Sequence, residues 1–306
     1  MTWSLIYHGS NTLRGRLGVS RLLRTGLRQV LHAERPDVVV STLPAVNDVL
    51  VEGAHAAGAR MEVVLTDWHS VHRFWVAPGV DDYTTPTDTA RDDCIRFGAP
   101  ADRVRTVGIP IRRAFVDLAR TSRENLRQRF VALGLDPRRF TMLAMVGAEG
   151  SPRALRNVGR LLQLDLDAQA IVVCGRADDL RRSIERMPHR MPVRALGFVE
   201  DIPELMRGVD LLVSKAGGLT LAEAFCSRVP IVVHDILPGQ EEGNLAYALQ
   251  HGAVAYGRTP DRVADVVAHL YRDPVARSAL VDRGRRLARP DAAERIARGV
   301  LERLAA

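Results

Sequence analysis

The sequence predicts an α/β protein built as two successive parallel-sheet halves. Short apolar runs of strand length alternate with helical stretches, and each run ends in turn residues, as parallel βαβ units require. The alternation stops at a charged stretch near residue 120 and then starts again. In chain order the first set comprises DVVVS (37–41), MEVVLT (61–66), DDYTT (81–85) and VRTVG (104–108). GIPIRRAF (108–115) leads into the charged helix TSRENLRQRFVALGL, read as a hinge region. The second set comprises FTMLAMVG (140–147), AIVVCG (170–175), VRALGF (193–198), VDLLVS (209–214), PIVVHD (230–235) and AVAYG (253–257). From Asp261 onward the pattern is helical, broken at Pro274 and Pro290. Two Rossmann-like halves follow, with expected boundaries at 1–118, a linker at 119–138, and 139–306.

Before the first strand lies NTLRGRLGVSRLLRTGLRQVLHAERPD, residues 11–37. Leu13, Leu17, Leu23, Leu27 and Leu31 recur at helical intervals, while Arg14, Arg16, Arg21, Arg24 and Arg28 fill much of the remaining surface. This is a basic amphipathic helix that packs on the sheet, and its arginines are compatible with anionic lipid.

The 306 residues, 46% hydrophobic and 26% charged, suffice for two domains with real cores and exclude a disordered chain. No apolar run is long enough to span a membrane, and the N-terminus lacks the pattern of a secretory leader, so a cytoplasmic location is expected. Cys94, Cys174 and Cys226 lack a CxxC pattern and read as reduced, buried thiols. A net charge of +7 favours anionic partners. With only 5% aromatic residues and scattered basic ones, nucleic acid is the weakest of these and is not expected as a partner.

The strongest local signal is SKAGGLTLAEAFCSRVP, residues 214–230: an apolar strand, a glycine pair, then a helix. Gly217 and Gly218 are expected to let the chain turn and a ligand come close, where the helix offers unpaired N–H groups and its positive dipole end. Phosphate is the default ligand, although plain corner packing gives the same pattern. Lys215 is the one lysine among 43 basic residues; a place where a compact ammonium fits and a planar guanidinium does not is one reading, and chance placement is the other. In HDILPGQEEGN (234–244), Gln240, Glu241, Glu242 and Asn244 follow Pro238-Gly239, ahead of the helix LAYALQHGA. Acids suit a first helical turn, but the amides beside them suit sugar hydroxyls, which need donors and acceptors. Asp165-Leu166-Asp167 has the form of a metal-binding DxD but falls within a helical run, and is read as chance. Asp67, His69 and His72 lack the spacing a helix needs to hold a metal, so no metal site is assigned.

Six motifs in order, TDWHSVHRFW, GIPIRRAF, VGAEGS, GFVEDIPELM, SKAGGLTLAEA and PGQEEGN, resemble the glycosyltransferases that make monogalactosyl- or glucosyldiacylglycerol, relatives of the peptidoglycan lipid I N-acetylglucosaminyltransferase. The resemblance spans essentially the whole chain. It implies the GT-B architecture, two Rossmann-like domains facing a cleft, and transfer of a hexose from a UDP donor to a lipid hydroxyl, most simply diacylglycerol, with inversion and without a cofactor or metal. It implies that the backbone at Phe198 and Val199 holds uracil and that Glu223 accepts from the ribose hydroxyls. Gly217, Gly218, Leu219 and Thr220 would cradle the diphosphate with Lys215 nearby, while Gln240, Glu241 and Asn244 would face the hexose. A peripheral position on the inner face of the cell membrane is expected with it.

Members of that family open with a strand and a glycine-rich turn carrying a histidine, and nothing like it precedes Trp3. The first half is therefore expected to lack its N-terminal part, including a central strand. Inverting transfer needs a base for the acceptor hydroxyl, and Asp67, at a strand end, and His72, which titrates near neutrality, are the candidates. A polyprenyl-diphosphate acceptor and a catalytically incomplete nucleotide-sugar binder are the alternative readings.

Overall fold

The computed structural model of the protein describes residues 13–69, 71–146 and 152–305, with only the backbone of 13–23 and 45. The described residues fall into two compact units. The first holds residues up to Pro110, Pro238–Asn244 and the segment from Asp291 onward. The second holds Ile111–Leu237 and Leu245–Pro290.

The first unit begins with helix α1 (Leu13–Glu34), as the leucine spacing predicts. The side chains of Arg14, Arg16 and Arg21 lie outside the described residues. Leu31 on α1 is buried against α2 (Asn47–Ala56), where a Cβ on Gly53 would stand 2.9 Å from its Cδ1. The two helices approach closely because that side chain is missing. Strands β1 (Val38–Ser41), β2 (Arg60–Val64), β3 (Asp82–Thr85) and β4 (Val104–Thr106) form a parallel sheet in that order. Helix α3 (Asp88–Arg96) lies between β3 and β4, capped by the Thr87 hydroxyl, which accepts from Ala90 N. Met61, Val63, Leu65, Trp75, Tyr83 and Cys94 are the centre of this unit's core.

The last helix of the chain also belongs to this unit. Glu62 and Asp82 are cross-strand neighbours in β2 and β3. Both are nearly inaccessible, and Arg303 meets both, Glu62 through a short ion pair and Asp82 at 3.2 Å. Thr84 Oγ1 donates to Glu62 at 2.9 Å, and Arg60 adds a second cation to Asp82. Two buried carboxylates side by side are tolerable only with such compensation.

In the second unit β5 (Phe140–Met145), β6 (Ala168–Val173), β7 (Val193–Leu196), β8 (Leu211–Lys215), β9 (Ile231–Asp235) and β10 (Ala255–Tyr256) form a parallel sheet of order β10-β9-β8-β5-β6-β7. All ten predicted strands are present. Between them lie α4 (Arg113–Asp117) and α5 (Arg123–Ala132) before β5, then α6 (Pro152–Leu161), α7 (Asp178–Arg186), α8 (Ile202–Gly208) and α9 (Gly218–Ser227). The chain ends with α10 (Glu242–Gln250), α11 (Pro260–Arg272), α12 (Pro274–Leu287) and α13 (Ala292–Ala305). The strand order reverses between β5 and β8, the topological switch where ligands bind at the strands' carboxyl ends.

Three expectations change. Residues 119–138 are not a free hinge, because α5 is fastened into the second unit. Phe130 is fully buried against Gly208, and Arg127 Nε donates to the Gly208 carbonyl at 2.9 Å. Arg123 donates to the Arg207 and Val209 carbonyls, so two guanidiniums cap the C-terminus of α8. Burial pushes Arg123 down from its ordinary value, and Asp210 draws it back. The division accordingly falls at residue 110, not 118. Asp165-Leu166-Asp167 is not helical: it lies in the loop just before β6, at the opposite strand end from the switch, and Asp167 pairs with Arg139. Helix α10 starts at Glu242, so Asn244 is in its first turn rather than ahead of it.

Replacing Arg303 by methionine keeps the aliphatic stem but leaves the buried Glu62 without its cation. A loss of about 3–5 kcal/mol is expected from breaking such a pair, read as a lowered urea midpoint, with Glu62→Gln in the same chain recovering part of it.

Candidate functional site

In the second unit the site is built on β8 and α9. Gly217 is the N-cap of α9 and supplies no side-chain hydrogen bond, whereas α3, α11 and α12 are capped by Thr87, Thr259 and Asp273. The dipole end of α9 is therefore not capped by its own N-cap residue. Gly217 has φ −62° and ψ 135°, and neither it nor Gly218 has a positive φ. The glycine pair is not needed for the turn itself, contrary to expectation. What it leaves at the helix start is room. Leu219 is exposed, and Gly218 and Thr220 are half-buried.

Lys215 ends β8 at a register irregularity, opposite Asp235 of β9. Asp235 is buried, and Arg153 on α6 approaches it to 3.2 Å. Beneath lies His234, whose main-chain oxygen and Nδ1 both take Asn157 Nδ2, at 2.8 and 3.1 Å. Burial pushes its pKa down to about 4, with Lys215 and Arg153 adding to the effect, so this imidazole is neutral. Asn157 thus braces the end of β9, the strand opposite Lys215. The loop after β5, VGAEGS, lies almost wholly outside the described residues.

Glu223 is on α9, half-buried, and burial raises its pKa to about 7 against the pull of Arg112. Arg112 also donates to the Glu200 carbonyl at 3.2 Å. The same guanidinium thus acts on the charge of Glu223 and is bonded to the segment after β7. Arg112 was not singled out from the sequence; its only signal was its place in GIPIRRAF. Phe198 is 66% exposed, with the Arg176 guanidinium 5.8 Å from its ring centre, and Val199 beside it is half-buried.

In the first unit the relevant side chains gather beyond the carboxyl ends of β1 and β2. Asp67 is buried and its Oδ2 accepts from Trp75 Nε1 at 2.9 Å. Burial raises its pKa, and the Trp75 indole and the Asn244 amide oppose that. His72 Nδ1 accepts from Phe74 N at 3.2 Å, which places its proton on Nε2. Burial lowers its pKa, so the neutral donor form is favoured. The segment Pro238–Asn244 belongs to this unit although it follows β9. Gly239 has φ 85°, which a Pro-Gly turn requires, and its N–H is taken by Glu242 at 2.7 Å. Gln240 is half-buried and Glu241 buried, while Asn244 is 1% exposed with Oδ1 accepting from Trp68 N at 2.7 Å. Among the described residues no three His, Cys, Asp or Glu side chains are placed to hold a metal ion.

Two family models match the chain. One, monogalactosyldiacylglycerol (MGDG) synthase, covers residues 2–111; the other, glycosyl transferases group 1, covers residues 135–287, half of the chain. The chain belongs to the group 1 glycosyl transferases. Among curated proteins it is similar to a processive diacylglycerol beta-glucosyltransferase of Bacillus pumilus, 28% identical over 89% of this chain and 70% of the relative. The Bacillus thuringiensis protein of the same description is 29% identical over 91% and 71%. Among solved structures it resembles a Staphylococcus aureus MnaA–UDP complex (TM-score 0.72, 15% identity, 94% of this chain and 81% of that one). Acinetobacter baumannii MurG matches at TM-score 0.64 and 15% identity, covering 91% and 77%. These likenesses give this glycosyl transferase the GT-B fold.

The raised pKa of Glu223 has a direct consequence for stability. The folded chain prefers this carboxyl neutral, so its favourable contribution is complete below the ordinary value of 4.5 and is lost as pH rises through about 7. Glu223→Gln is permanently neutral. Unfolding in urea should therefore show the variant matching the parent near pH 4 and exceeding it at pH 8, by at most about 3 kcal/mol.

Proposed function

We propose that this glycosyl transferase moves a hexose from a UDP-hexose to the free hydroxyl of diacylglycerol, with inversion. The observation that carries the reading is the Gly217–Gly218 start of α9 at the carboxyl end of β8, with Lys215 before it and Glu223 one turn in. The similarity to diacylglycerol glucosyltransferases supplies the acceptor. In this reading the backbone at Phe198–Val199 takes the uracil edge and Glu223, balanced by Arg112, accepts from the ribose hydroxyls. Gly217, Gly218, Leu219 and Thr220 face the diphosphate. Gln240 and Glu241 take hexose hydroxyls.

The acceptor oxygen attacks the anomeric carbon as the bond from that carbon to the diphosphate oxygen breaks. The electron pair leaves with UDP, and the charge gathering there meets the N–H groups of α9 and the Lys215 ammonium. The hydroxyl proton must pass to a base. His72, with Nδ1 bonded to Phe74 N, presents a donor, so it orients the acceptor oxygen and can take a proton only after that bond opens. Incubating the protein with UDP-glucose and diacylglycerol vesicles should release UDP and yield glucosyldiacylglycerol. UDP-glucose binding without lipid-dependent UDP release would reduce the protein to a nucleotide-sugar binder.

Glu223→Ala should weaken UDP binding by about 1.5–3 kcal/mol, the worth of hydrogen bonds to a charged acceptor. Because the carboxylate is the better acceptor, UDP should bind more weakly as pH falls through about 7, and calorimetry should find this dependence flattened in Glu223→Gln.

Diacylglycerol stays in the bilayer, and none of the described helices is long and apolar enough to cross one. The protein must then work at a membrane surface, for which the arginines of α1 are the natural contact. Arg24 is engaged with Glu52 at 2.8 Å, whereas Arg28 is exposed. Each arginine beside anionic lipid contributes up to about 1 kcal/mol, weakened by salt. The protein should sediment with anionic but not neutral vesicles, and 1 M salt or Arg14, Arg21 and Arg28 changed together to Gln should release it. Equal binding to neutral vesicles would return α1 to a packing role.

A further inference from the structure

Asp67 stood out in the sequence as a candidate base, and Asn244 as a residue facing sugar. In the structure Asp67 takes the Trp75 indole and Asn244 takes the Trp68 main chain. A run of buried hydrogen bonds crosses the carboxyl edge of the first sheet. Ser41 Oγ, at the end of β1, bonds to Asn47 Oδ1 at 2.6 Å, and Asn47 Nδ2, at the start of α2, donates to the Trp75 carbonyl at 3.0 Å. The indole of Trp75 donates to Asp67, and the next residue, Trp68, donates its main-chain N–H to Asn244. Ser41, Asn47, Asp67, Trp68, Trp75 and Asn244 are all at most 6% exposed.

We infer that Asp67 and Trp75 are positioning residues that fix the Trp68 main chain as an anchor for Asn244, and so set the loop that carries Gln240 and Glu241. This rests on the proposed role of that loop in holding the hexose. Three observations support it. The loop belongs to the first unit although the strand it leaves belongs to the second. Asn244 lies three and four residues beyond Glu241 and Gln240, across the first turn of α10, so a shift of its amide moves both. Trp75, wholly inside the core cluster, cannot itself meet a substrate.

A carboxylate that serves as an acceptor for an indole differs from a base in what replaces it. Asp67→Asn keeps an oxygen for Trp75 Nε1 and loses only the charge. Trp75→Phe keeps the ring and removes the donor. Asn244→Ala removes the acceptor for Trp68 N–H.

The test compares UDP with UDP-glucose by calorimetry, so that binding is read apart from turnover. The unaltered protein should bind UDP-glucose more tightly than UDP, by the hexose contacts. In Asn244→Ala and Trp75→Phe that difference should shrink roughly tenfold, the worth of one or two hydrogen bonds, while UDP alone binds as before. Thermal melts establish that both variants are folded, and two different substitutions guard against one failing to fold. In lipid-dependent transfer these variants should raise KM for UDP-glucose more than they lower kcat. Asp67→Asn should lose less than roughly tenfold, against the roughly 10²–10⁴ expected if a general base were removed. A hexose increment unchanged in Asn244→Ala, or a loss on the larger scale in Asp67→Asn, overturns the inference. Failure of the unaltered protein to bind UDP at all would instead overturn the proposed function.

Discussion

A parallel strand followed by a helix brings the helix's unpaired N–H groups to the same edge of the sheet every time it is repeated. Both sheets here are wholly parallel, so every strand-to-helix corner of a unit opens on that edge. In the second unit the order reverses between β5 and β8, which splays the loops there and leaves space for a ligand. Lys215, the glycine pair and Glu223 all descend from this geometry. A strand ends, one turn passes, and α9 begins at Gly217, which has no side chain to cap it. Glu223, one turn further on, is deep enough for burial to raise its pKa. The same edge in the first unit gathers Ser41, Asn47, Asp67 and Trp75.

The charge of the chain is largely spent inside the units. Arginines cap the C-terminus of α8, neutralise Glu62 and Asp82 and hold Asp235, and each of these uses the reach or the planar fork of a guanidinium. A net charge of +7 counts the excess of positive groups and says nothing of where on the surface they stand. Arg24 shows the same economy even on the basic helix, since it is bound to Glu52. The exposed Arg28 is a better guide to a membrane surface than the total.

The fold was legible because buried parallel strands are continuous apolar runs, and a run such as PIVVHD or AIVVCG reports its own boundaries. The corner between β8 and α9 was legible for a related reason: a strand, two glycines and a helix are contiguous. What the sequence concealed lies at long separation or in backbone detail. Arg112 meets the Glu200 carbonyl 88 residues away, and Asn244 meets Trp68 across 176. No local pattern signals either. The glycine pair misled about mechanism, since Gly217 has an ordinary extended backbone; only dihedral angles separate a glycine needed for conformation from one needed for space. The charged stretch at 121–135 looked like a hinge because its polar face is evident, whereas the burial of Phe130 and the guanidinium caps depend on partners far along the chain.

The segment Pro238–Asn244 leaves β9 of the second unit, packs with the first, and returns at Leu245. Such an excursion needs interactions strong enough to hold a short loop against its conformational entropy. Apolar burial contributes little here, because the segment is mostly polar. Its fixed points are instead the Pro238-Gly239 turn, the Glu242 carboxylate on Gly239 N, and the buried Asn244 amide on Trp68 N. An amide suits the last position because it offers an acceptor without a charge beside Asp67, where an aspartate would set two carboxylates in one buried place. Asp67 in turn takes the Trp75 indole through Oδ2, which ties the residue before Trp68 to the core of the first unit.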